Sequence, residues 1–115
     1  MVWDRFVYWN ADAPSELDII QALTDYLNGA ATIEYKADVT RWFCIFPQAP
    51  SHPFRNLGDT RSVQEGLSEL RNFEVFIADD NIDVMTRFQD YFIDAIAAGF
   101  AELCARQWDG RLEEG

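Results

Sequence analysis

The chain has 115 residues, 49% of them hydrophobic and 15% aromatic, which is enough apolar material for one domain with its own core and excludes a disordered chain. Twenty acidic residues against nine basic ones, with Lys36 the only lysine, leave a formal net charge of -11. Such a surface is repelled by phosphate backbones and anionic bilayers, so nucleic acid and membranes are disfavoured as partners and a basic protein is favoured.

The first ten residues lack the basic-then-apolar pattern of a secretory leader. No uninterrupted apolar run approaches the ~18 residues of a membrane span. Cys44 and Cys104 sit inside apolar patterns rather than paired spacings, as buried thiols in a reducing compartment do. The expected location is the cytoplasm.

Residues 5–9 are aromatic and β-branched, too short for a helix, and apolar on both faces, which predicts an interior strand or one whose outer face meets a partner. Ala11 to Pro14 break it. Ser15 followed by Glu16, Leu17 and Asp18 resembles a capping box, and Ile19, Ile20, Leu23 and Leu27 continue at helical spacing. Asn28 and Gly29, which tolerate a left-handed backbone, end this first helix. Residues 32–37 alternate, with Ile33 and Tyr35 on one face and Thr32, Glu34 and Lys36 on the other, as in a half-solvated strand. Residues 41–46 are apolar on both faces and form the deeper partner in a hairpin. Pro47, Pro50 and Pro53 then open a loop that runs to about Thr60.

Val63, Leu67 and Leu70 give residues 61–72 the spacing of a short helix, weakened by Gly66. Residues 73–78 and 82–85 read as two strands joined at Asp79, Asp80 and Asn81. The longest periodic stretch is 86–108. There Phe88, Phe92, Ile96, Gly99 and Leu103 fall on one helical stripe, widened by Ala95 and Phe100, with Thr86 as cap and Gly110 beyond the end. Gly99 in that stripe implies close approach of a strand or of the first helix.

The order β-α-β-β-(short α)-β-β-α predicts a single α+β domain over residues 1–115. Its antiparallel sheet has about four to five strands, with two main helices packed on one face.

The sharpest local feature is the acidic group Asp79, Asp80 and Asp83. Its oxygens alternate as at the start of a calcium loop, with Asp90 in the twelfth place. The sixth place, however, is Val84 rather than Gly, and Asp90 is shorter than the bidentate Glu that such loops use, so an acidic turn is expected and no metal. The single histidine, His52, lies between Pro50 and Pro53 with no local nucleophile or orienting carboxylate, and the stiff loop suits presentation of His52, Phe54 and Arg55 to a partner. Cys44 lies between Phe43 and Ile45, a poor setting for a thiolate nucleophile. There is no Gly-rich phosphate loop, paired-cysteine zinc spacing or nucleophile elbow, so neither a cofactor nor a catalytic residue is expected.

Trp3, Trp9, Trp42 and Trp108 are many tryptophans for one small domain. An aromatic patch ringed by carboxylates on a partly open sheet face would form a protein-binding surface or a dimer interface. The expectation is therefore a small acidic cytoplasmic protein-binding module, of the inhibitor, immunity-protein or antitoxin type, that masks a basic partner. Its contacts are Asp79, Asp80, Asp83, His52, Phe54 and Arg55. The alternatives are a self-associating structural or accessory subunit that forms a homodimer, and a ligand binder or enzyme using His52 with Asp80 or Asp83.

Overall fold

Alternation of side chains along each strand sorts the chain into two layers. The computed structural model describes residues 3–47, 71–87 and 90–115. Six strands run β1 (Trp3–Trp9), β2 (Thr32–Lys36), β3 (Arg41–Ile45), β4 (Asn72–Ile77), β5 (Asn81–Thr86) and β6 (Gly110–Glu114), with helices α1 (Glu16–Leu27) and α2 (Tyr91–Gln107) between them. The sheet order is β2-β3-β4-β5-β1-β6, and every neighbouring pair is antiparallel. The α+β class and the antiparallel sheet agree with the sequence; the strand count is six rather than four to five. The additional strand, β6, carries a single apolar residue, Leu112, which pairs with Val7. One inward side chain suffices for an edge strand but leaves almost no periodicity to read.

The expected short helix over residues 61–72 lies outside the described residues apart from its last two positions, and Asn72 begins β4. Both strands with two apolar faces, β1 and β3, are interior to the sheet.

α1 forms as its signals require. Ser15 Oγ accepts the Asp18 N–H at 3.1 Å, and Asn28 adopts φ 49° at the other end. Ile19, Leu23 and Leu27 are its buried stripe.

α2 starts later than its periodicity implied and is rotated. Thr86 belongs to β5, and Asp90 is the cap, accepting the Phe92 and Ile93 N–H groups at 3.0 and 3.1 Å. Thr86 instead donates its hydroxyl to Asp94 at 2.8 Å. The buried stripe is Ile93, Ala97, Phe100, Ala101 and Cys104, whereas Phe92 is 62% exposed and Ala95 is exposed. Small side chains at Ala97 and Ala101 allow the helix axis to sit close to the sheet, and Ile96 and Leu103, on the expected stripe, pack at the margin of the core. Gly99 does mark a close approach. Tyr26 of α1 donates its hydroxyl to the Ile96 carbonyl at 2.7 Å, and a Cβ on Gly99 would overlap that hydroxyl.

The core between sheet and helices contains Val7, Ile19, Leu23, Phe73, Val75, Ile82, Val84 and Phe100, all essentially inaccessible to solvent. Cys44 and Cys104 are free thiols in this core, and burial pushes both up, Cys104 to about 12.

Candidate functional site

Strand parity places Val7, Val75, Ile82 and Val84 toward the helices, and therefore places Asp4, Phe6, Tyr8, Glu74, Phe76, Asp83 and Met85 on the opposite face. On that face charge is paired internally. Glu74, 1% exposed, accepts from Arg87 and lies 3.9 Å from Arg41. Arg41 lies over the Phe76 ring at 5.3 Å, Lys36 over Phe43 at 5.0 Å and Arg111 over Tyr8 at 5.2 Å. Asp83 is 8% exposed, and one of its carboxyl oxygens, Oδ1, has no hydrogen-bond partner among the described residues. Burial pushes Asp83 up to about 7, reinforced by a hydrogen bond and charge repulsion from Asp4 and by Glu74, and opposed by Arg41.

Asp83 is thus separated from the acidic group read in the sequence. Asp79 and Asp80 are exposed at the β4–β5 turn, where Ala78 N–H bonds to the Asn81 carbonyl at 2.9 Å. Residues 81–86 are strand, so the stretch from Asp79 to Asp90 is not a calcium loop. Among the described residues, no group of three or more His, Cys, Asp or Glu side chains could hold a metal ion. His52, Phe54 and Arg55 lie outside the described residues.

The exposed turn has acidic company. Trp9 N–H bonds to the Asp80 carbonyl at 3.1 Å and Asn10 N–H to the Asp109 carbonyl at 3.2 Å, which brings the β4–β5 turn, the end of β1 and the α2–β6 turn to one end of the sheet. Trp9 and Trp108 meet edge to face there, with ring centroids 6.2 Å apart. No family model and no curated protein matches the chain. The chemistry of this surface is therefore read from its own geometry and charge.

On the helix side, α1 carries Glu16, Asp18 and Asp25 and no basic residue. Asp18 and Asp25 line a groove of about 430 Å³ between α1 and the carboxyl end of α2, with Tyr26, Leu103, Gln107 and Trp108. From the sequence, Asp18 reads only as part of the capping box, Leu103 as helix stripe and Trp108 as one of four tryptophans, and nothing there joins them with Asp25 into one site. The available signal was the spacing of Asp18 and Asp25, seven apart and so on one stripe of a helix without Lys or Arg. The four tryptophans all lie on the helix side and are partly buried, with Trp42 Nε1 donating to Glu16 Oε1 at 3.0 Å. Among the described strand residues, the aromatics of the opposite face are Phe6, Tyr8, Phe43 and Phe76.

Proposed function

We propose that this chain is a small cytoplasmic acidic binding protein, not an enzyme, that masks a basic protein partner in the manner of an inhibitor, immunity protein or antitoxin. One observation supports this above the rest. Among the described residues, Arg5, Lys36, Arg41, Arg71, Arg87 and Arg111 are each engaged by a carboxylate or an aromatic ring, and of the described cations only exposed Arg106 is not. Exposed Asp12, Asp18, Asp38, Asp79, Asp80 and Asp109 have no ion pair among the described residues. The field that a partner meets is therefore negative, a condition that speeds encounter with a positive cleft. Exposed Asp79 and Asp80, with Asp109 beside them, are its first contacts. No helix among the described residues is long and apolar enough to cross a membrane.

A second reading, self-association, is favoured by β2. This edge strand has four of its five residues exposed, including Tyr35 at 48%, and an unpaired edge is a template for a second strand. Affinity capture from lysate of the source organism, washed at low and high salt and combined with light scattering, separates the two. One stoichiometric basic protein released by salt supports masking; bait alone, as a concentration-independent dimer, supports the second reading.

A further inference from the structure

The groove between α1 and α2 is a concave surface whose chemistry specifies its occupant more narrowly than net charge does. Among the described residues, the only charged side chains lining it are Asp18 and Asp25. Asp18 has no cationic partner among the described residues, and Asp25 accepts among them only the neutral Gln21 amide at 3.1 Å. The rest of the lining mixes apolar and neutral polar side chains. Tyr26 is tied to the Ile96 carbonyl and tilts against Phe100 with centroids 5.7 Å apart, while Ala22 and Leu103 supply aliphatic surface. The far wall is the carboxyl end of α2, where last-turn carbonyls carry partial negative charge and Trp108 adds an aromatic side chain to the lining. Arg106, in that last turn, is not among the lining residues. Two carboxylates, a helix carboxyl end and the aromatic and aliphatic side chains beside them favour the same ligand group: a cation on a long apolar stem, which is Arg or Lys.

Spacing adds a second requirement. Asp18 and Asp25 are two helical turns apart, about 10.5 Å at 1.5 Å per residue. A groove between two helices accepts an amphipathic helix along its length, and two cations at the same separation on such a helix are themselves seven residues apart. Resting on the basic-partner reading, we propose that this groove receives a helical segment of the partner carrying two cationic side chains seven residues apart, one meeting Asp18 and the other Asp25.

The test uses the ¹⁵N-labelled full chain and a helix-forming peptide with two arginines at that spacing, beside an isomer with its arginines on opposite helical faces. Saturable amide shifts confined to the groove-lining segments, with affinity about tenfold weaker for the isomer and for the D18K/D25K variant, are the expected result. The E34K/D38K variant makes the same change in net charge away from the groove, and it should bind within about twofold of the parent. Shifts only at the Asp79 and Asp80 turn, equal affinity for both peptides, or equal loss in both variants would overturn the groove while leaving the basic-partner reading intact. No saturable shift at all would also overturn it, and the capture experiment would then decide the broader reading.

Discussion

The Arg5 guanidinium holds Asp94 through two parallel hydrogen bonds of 2.6 and 2.8 Å, joining the second strand from one sheet edge to the first turn of α2. Both side chains are mostly buried, at 14% and 16% exposed, and Thr86 adds a third bond to the same carboxylate. Removing one partner leaves the other charge stranded in a poorly solvated place. R5A or D94A should each cost about 2–3 kcal/mol, and the double variant should cost less than their sum. Urea denaturation of the four proteins measures the coupling; additive losses would mean that the pair does not act as a unit. The hydrogen bond from Arg5 holds Asp94 below its ordinary value of 3.8. The stability it contributes is present above that value and is lost as pH falls through its lower folded value.

Asp83 has the opposite sign. Its folded value, about 7, exceeds its ordinary 3.8 because burial and the Asp4 carboxyl disfavour its charge. Between those two values the folded state binds the extra proton, so this group's contribution to stability declines as pH rises from about 4 to about 7. D83N carries a neutral amide that can donate to Asp4 as the protonated acid does. It should unfold about 2 kcal/mol less readily than the parent at pH 8 and little differently at pH 4, a discounted conversion of the shift. Thermal melts across that range provide the check; parallel pH profiles for the two proteins would show that Asp83 is not the titrating group.

The contrast between Asp94 and Asp83 also shows what could be read from the chain alone. α1 was legible end to end because Ser15, Asn28 and the Ile19–Leu23–Leu27 spacing are local signals that agree with one another. The phase of α2 was not, because the residues that face the sheet include Ala97, Ala101 and Cys104, chosen for volume as much as hydrophobicity, while bulky Phe92 faces out beneath the Arg71 guanidinium. Asp83 looked like part of an acidic turn because Asp79 and Asp80 precede it. The alternation of Ile82 and Val84 already required it to point away from the helices, and the same parity around Arg5 and Val7 brings Asp4 to its side. What pairs with what across strands depends on sheet order, which no local pattern carries. The candidate contacts His52, Phe54 and Arg55 lie outside the described residues.

Gly99 and Tyr26 should show coupling of a steric kind. Alanine at a helix interior gains about 1 kcal/mol over glycine, but here its Cβ would displace the Tyr26 hydroxyl from the Ile96 carbonyl. That hydrogen bond contributes about 1 kcal/mol and leaves a partly buried carbonyl unpaired when lost. G99A should therefore be neutral to destabilising alone and stabilising by about 1 kcal/mol in a Y26F background. G99L should lower the melting temperature in either. If G99A stabilises the parent and the Y26F protein equally, the close approach at Gly99 has no energetic weight.

Charge reversal at the acidic turn should separate encounter from folding. Asp79 and Asp80 are exposed and make no ion pair among the described residues, so D79K/D80K should leave stability within about 0.5 kcal/mol of the parent. It should slow association with a basic partner severalfold at low salt and flatten the salt dependence of that rate, since exposed charges act through a screened long-range field. D83K belongs to a different class. A lysine in a site 8% exposed, beside Arg41, places like charges together out of water, and it should cost about 3 kcal/mol or more. Stopped-flow association and denaturant unfolding on both proteins give the comparison. An unchanged association rate in D79K/D80K would remove this turn from the encounter surface and shift weight to the acidic stripe of α1, where Asp18 and Asp25 present the same sign of charge over a groove rather than a turn.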